Sequence, residues 1–290
     1  MPLLILAILF GLLLPDPLHA QDTPSPFTRI AFGSCADEEK PQPIWGAVLS
    51  YQPQLFLFAG DNVYGDVRQG RDVPDGELIQ SLQDSYALAA QVSGMARLRS
   101  TIPHLATWDD HDYGKNDASA EFAGRHEAQR LFLQFWNVPL SDMRHQREGV
   151  YHSQTFGPDG QRVQVILLDT RFFRSSLKPT DQRNAAGRGR YLPDEDPGKT
   201  MLGEMQWSWL AERLREPADV RLIVSSIQVV AEGHGWERWG NFASSSHLGQ
   251  RLKRSRAFLH RREHSSRDLA IGSADGITLD VEPLALLKAS

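Results

Sequence analysis

The stretch Gln54–Asp66, QLFLFAGDNVYGD, changes character at its midpoint. Leu55 to Ala59 is unbroken apolar chain, and everything after Gly60 except Val63 is polar, aromatic or glycine. A short apolar run closed by a glycine reads as a β-strand covered on both faces. Four more stretches share this layout: TRIAFGSC (28–35), IPHLATWDDHD (102–112), RVQVILLDTR (162–171) and VRLIVSSIQVV (220–230). Each has an apolar body and a polar carboxyl end. In open α/β sheets, sites form just outside the carboxyl ends of the strands.

The connections carry helical periodicity. Ala128, Leu131, Phe132, Phe135 and Trp136 make one apolar stripe, and Leu202, Met205, Trp209 and Leu210 make another. Residues 75–98 read as helical with weaker periodicity. Segment 174–200, rich in Arg, Gly, Pro and Asp, reads as a long surface loop. The expectation is a single layered α/β domain from about residue 26 to 242.

Bulk composition is that of an ordinary globular chain, with 41% hydrophobic and 23% charged among 290 residues. A net charge of -5 gives no reason to expect a nucleic-acid partner. Residues 1–20 stand apart. PLLILAILFGLLL is of signal-peptide length, too short for a comfortable membrane span, and LHA offers small-residue cleavage after Ala20, although no Lys or Arg precedes the apolar run. The expected mature chain starts at Gln21, has no transmembrane span and is periplasmic or secreted. Its one cysteine, Cys35, has no internal disulfide partner. It is either a small buried hydrophobe or a thiolate ligand or nucleophile.

Were the strands neighbours, their ends would bring together Cys35, Asp61, Tyr64, Asp66, the run Asp109–Asp117, Asp169 and Arg171. Crowded carboxylates repel unless they are protonated or neutralised by cations, so a metal centre is the economical arrangement. Carboxylate and amide oxygens suit hard cations. Thiolate and phenolate suit a transition metal, and ferric iron accepts both. Two cations sharing a carboxylate would polarise a phosphoryl group and activate a water. Arg171 is expected to clamp phosphate and His111 to protonate or orient the leaving group. Asp110, Asp112 and Asp117 suit hydrogen bonding to loop backbone. His234, in GHGWERWGNF, is read either as part of a cleft wall or as a ligand.

The blocks FGSC, GDNVY, ATWDDHDYGKND and LDTRFFR, in that order over about residues 28–242, resemble the PhoD-like alkaline phosphatases, a branch of the metallophosphatases. The resemblance implies a four-layer α/β/β/α sandwich and a phosphoric ester hydrolase using iron and calcium. It implies that Cys35 and Tyr64 hold iron, that Asp61 bridges the metals, and that Asp109 and Asn116 bind calcium. The expected substrate is a phosphate mono- or diester.

The resemblance breaks after WGNF. The family pattern continues with a helix, a buried strand and an apolar-x-G-[DN]-x-H block, whereas residues 243–290 form an atypical tail. Seven of the chain's 31 basic residues fall between Arg251 and Arg267, and no buried strand is expected there. Read one base forward, the codons for Ser255 to Asp268 permit R-G-L-F-F-I-G-G-N-I-H-R-E, so the tail is read as a possible frameshifted segment. The sandwich would then be incomplete on its C-terminal side. The alternative function is accordingly a catalytically impaired or non-enzymatic remnant that keeps half of a metal site.

Overall fold

The computed structural model describes residues 27–182, 189–229 and 235–243, and the backbone alone of 258–260 and 280–283. Two four-stranded sheets lie face to face. The first contains β1 (Arg29–Gly33), β2 (Leu55–Ala59) and β5 (His104–Thr107), all parallel, with β12 (Asp280–Pro283) beside β1 in the order β12-β1-β2-β5. The second contains β6 (His152–Phe156), β7 (Val163–Leu167), β10 (Val220–Ser225) and β11 (Phe258–His260), in the order β11-β10-β7-β6. Only β6 runs antiparallel to its neighbour there. Two small hairpins, β3 (Val67–Arg68) with β4 (Arg71–Asp72) and β8 (Lys178–Pro179) with β9 (Tyr191–Leu192), decorate the loops, the second inside the expected 174–200 loop.

Period-two alternation sorts the strand side chains into layers. Leu55, Leu57 and Ala59 of β2 meet Val163, Val165 and Leu167 of β7 and Val220, Leu222 and Val224 of β10 between the sheets. Phe56 and Phe58 point the other way. They pack on Trp45 and Val48 of α1 (Ile44–Tyr51), Leu82 and Tyr86 of α2 (Leu78–Ala89), Met95 and Leu98 of α3 (Ser93–Thr101), and Phe132 of α5 (Arg125–Phe135). Ile166 and Ile223 leave the second sheet toward Leu210 of α6 (Gly203–Arg213) and toward Trp239 and Phe242. This is the expected α/β/β/α sandwich. Strands buried on both faces are what made the apolar runs continuous.

The sheets are clasped to each other at their carboxyl ends. Thr107 Oγ1 donates to the Leu168 carbonyl at 2.8 Å, and Trp108 Nε1 to Asp169 Oδ1 at 2.8 Å. At the opposite end, the contact is the ring pair Phe27–Phe156, with centroids 4.8 Å apart.

Two expectations need correcting. Met205 does not face the core; it is 53% exposed, and Gln206 is fully buried in its place. The reason is polar. Gln206 Oε1 accepts from the Asp169 N–H at 2.9 Å and its Nε2 donates to the Asp169 carbonyl at 2.8 Å, satisfying the chain where it leaves β7. A strand also forms where none was expected, because Phe258–His260 pairs in parallel with Ile223–Ser225. The edge of β10 offers backbone groups that a short extended triplet can satisfy. His234 lies outside the described residues, as do residues 1–26. Among the described residues, no helix is long and apolar enough to cross a membrane.

β6 carries a titrating group. Burial, and then the Arg144 charge, push the His152 pKa down from 6.5 to about 4. The unfolded chain therefore takes up this proton first as pH falls. The neutral ring's contribution is complete above about pH 6.5, is lost as pH falls toward 4 and is flat below that. His152→Gln should reduce the acid destabilisation between pH 7 and 4.5 by about 2 kcal/mol, read from urea midpoints of both proteins at both pH values.

Candidate functional site

The carboxyl ends of β1, β2, β5 and β7 converge, and local backbone signals explain how. β2 ends in Gly60 at φ 107°, followed by Asp61 at φ 50°; β1 ends near Cys35 at φ 63°. The Cys35 N–H donates to the Gly60 carbonyl and the Ala36 N–H to the Asp61 carbonyl at 2.8 Å, so the two turns are stitched together. A Cβ on Gly60 would lie 2.7 Å from Asp109 Cβ and 3.0 Å from Ser226 Cβ, so only glycine lets these strand ends approach. Gly60→Ala should cost roughly 2–5 kcal/mol through φ strain and overpacking, and should displace Asp109, as seen in thermal unfolding and in metal content.

After β5, Asp109 and Asp112 form a capping box on the one-turn helix α4 (Asp110–Tyr113). Asp112 is completely buried and does more than cap. Its carboxylate accepts from the N–H groups of Asp61, Asn62 and Asp109 and from the Asn62 amide. Burial, reinforced by the Asp61 charge, raises its pKa well above 3.8. Asp169 is likewise scaffolding, with Trp108 Nε1 and the N–H groups of Val150, Arg171 and Phe172 on its oxygens.

On this frame, Asp61 Oδ2 lies 3.7 Å from Cys35 Sγ and 3.4 Å from the Tyr64 hydroxyl. Tyr64 stacks on His111 at 4.3 Å, and the Tyr64 N–H is held by Glu38 Oε2 at 2.9 Å. His111 Nδ1 is 2.6 Å from Asp66 Oδ1. Burial opposes a charge on this imidazole, but Asp61, Asp110 and Asp66 outweigh it and hold its pKa well above 6.5. Ligand-type atoms of Asp61, Asp110 and His111 all lie within 4.8 Å of one another, close enough to share one cation. Oxygen donors with a thiol and a phenol alongside are a donor set that metals accept.

A second acidic group adjoins the first through Asp110. Oxygens of Asp110, Asp117 and Glu237 lie within 4.8 Å of one another. Here the positive charges are the chain's own. Arg171 is fully buried; its Nε reaches Asp109 Oδ1 at 2.8 Å and its Nη1 reaches Glu237 Oε1 at 2.8 Å. Arg174, also fully buried, pairs with Glu237 and donates to Ser119 Oγ at 2.8 Å. The Arg171 fork expected for phosphate is thus filled by two carboxylates.

The structure therefore gathers Cys35, Asp61, Tyr64 and His111 around one point, with Asp109 behind them on Arg171. Asn116 is exposed and lines a neighbouring pocket of about 430 Å³. Glu38, Asp110 and Glu237 were not picked out from the sequence as site residues. For Asp110 the signal was its place in the aspartate run. For Glu237 it was an acid between two tryptophans, and for Glu38 there was none.

A family model described as PhoD-like phosphatase matches residues 30–276, running on through much of the tail that the sequence reading set apart. Among solved structures, one described as "Structure of PhoD" aligns with a TM-score of 0.61 at 18% identity, over 82% of this chain and 51% of that one. The likeness shows the fold, and the chain spans about half the length of that relative. No curated protein matches the chain significantly. The match over residues 30–276 covers most of the 290-residue chain and includes the carboxyl ends of β1, β2, β5 and β7, and by it the chain belongs to the PhoD-like phosphatase family.

Proposed function

We propose that the chain is a secreted, metal-dependent phosphoesterase that hydrolyses phosphate mono- or diesters. One observation carries this reading: ligand atoms of Asp61, Asp110 and His111 converge within 4.8 Å at the sheet edge, with Cys35 and Tyr64 both touching Asp61. Cys35 and Tyr64 would hold iron, Asp61 would bridge the metals, and Asp109 and Asn116 would bind calcium, with Asp110 adjoining Asp61 in the same cluster. Bound there, the cations would polarise phosphoryl oxygens and lower the pKa of a water.

The chain's own residues supply the rest. His111 stands beside Asp61 and Asp110 at the cluster, where it would donate to the leaving alkoxide. Asp66 orients that ring from one side and Tyr64 from the other. Arg171, with its fork on Asp109 and Glu237, holds Asp109 in place instead of gripping substrate. Glu38 fixes the backbone at Tyr64.

The test is metal analysis of the purified chain together with assays on a phosphate monoester and a phosphate diester. Iron and calcium are expected, and Cys35→Ala should lose iron and at least about 100-fold in kcat/KM. Hydrolysis of neither ester class by a metal-loaded protein would overturn the reading. Sequencing the gene across the codons for residues 236–270 tests the proposed frameshift, which requires a single-base change that restores a G-[DN]-x-H block.

A further inference from the structure

The pocket beside the candidate centre, which Asn116 also lines, has far more room than a cation needs. It is about 430 Å³ and shares Asp117 with the second acidic group. The Asp117 N–H donates to Asp110 Oδ2 at 2.9 Å, so the inner wall of the pocket is one hydrogen bond from the Asp61–Asp110–His111 cluster. A group attached to a phosphate at that cluster would have this pocket as its neighbour.

The lining decides what kind of group. Leu78, Ile79 and Phe122 give it an apolar floor, and Ala123 stands exposed at its edge. That floor is tightly seated, since a Cβ on Gly124 would meet Ile79 Cδ1 and Phe122 Cζ, each at 2.7 Å. The rim carries Asp75, Asp117 and Glu121; Lys115 pairs with Asp75 and Arg190 with Asp117 at 3.3 Å, which leaves Glu121 as the rim carboxylate without a salt bridge among the described residues. Lys115 is already committed, with its Nζ 2.7 and 2.8 Å from the two oxygens of Asp75. An apolar floor under a rim with surplus negative charge attracts apolar groups and repels a second anion.

We propose that this pocket is the subsite for the organic group of a phosphate diester, and that it selects an apolar aryl or alkyl group without negative charge. The proposal rests on the phosphoesterase reading above and names its substrate class. Diphenyl phosphate should bind the full chain roughly 10- to 100-fold tighter than dimethyl phosphate, the range that small apolar differences give in a fitted pocket. Isothermal titration reads this without needing turnover. Ala123→Trp, at an exposed position, should fill the pocket and abolish the preference, and Ile79→Trp should do the same from the floor.

Equal binding of the two diesters by the wild-type chain would overturn the proposal, as would a phenyl preference that survives both filling variants. Turnover of bis(4-nitrophenyl) phosphate in the same preparation keeps the two readings apart. Turnover with no phenyl preference removes the subsite and leaves the hydrolase. A phenyl preference without turnover of any ester removes the hydrolase and leaves the subsite.

Discussion

Asp61→Asn should lower kcat/KM for a phosphate diester by roughly 1000-fold or more while the protein stays folded, because the proposed metal centre would contribute several kcal/mol at 1.36 kcal/mol per tenfold. Asparagine suits the site sterically, since it has the same shape and tolerates the φ of 50° found there. What disappears is a full negative charge at the point where Cys35 Sγ and the Tyr64 hydroxyl converge. Stability should hold or rise. The Asp61 charge is one of the influences that disfavour ionisation of buried Asp112, and removing it relieves that repulsion. Activity, metal content and thermal midpoint measured on one preparation check this. An inactive variant that retains full metal and a full-activity variant would each contradict it.

Arg171→Ala should be the most destabilising single change near the site. The side chain is fully buried, and its removal leaves Asp109 and Glu237 facing each other without their shared cation. Breaking a buried pair from one side costs about 3–5 kcal/mol because the remaining charge stays desolvated. The carboxylates hold the Arg171 pKa far above 12.5, although burial alone would lower it. Lysine should rescue little, since a point charge cannot replace a planar fork bonded to two partners. Urea unfolding of the wild type, Arg171→Ala and Arg171→Lys reads the cost. Arg174 remains beside Glu237 in each, so a small residual compensation from that side is expected.

The parts of the fold that were legible in the sequence are those governed by burial on both faces. β2, β5, β7 and β10 are short apolar runs because helices cover one side and a second sheet the other. β6 was not legible. HSQTF is an edge strand, half solvated and antiparallel, and its polar residues carry no strong pattern. α6 was found, but its face was mistaken at Met205, since a buried glutamine serving two backbone groups reads as surface in a hydrophobic stripe. At the site, residues with distinctive chemistry at strand ends were visible. Which of them would pair, and with what, was not, because Glu237 reaches Arg171 across 66 positions and Asp66 reaches His111 across 45. Only the folded chain brings such pairs together.

The clasp between the sheets has a mechanical consequence. Thr107 with Leu168, and Trp108 with Asp169, fasten the sandwich at the functional edge, while a ring contact closes the other end. Partial opening of the two sheets should therefore start at the Phe27–Phe156 end and travel toward the clasp, like a book loosened from its open side. Amide protons near the start of β1 and β7 would exchange with solvent through these small openings. Those of Leu168 and Asp169 would wait for unfolding of the whole domain, so the candidate centre sits at the spine.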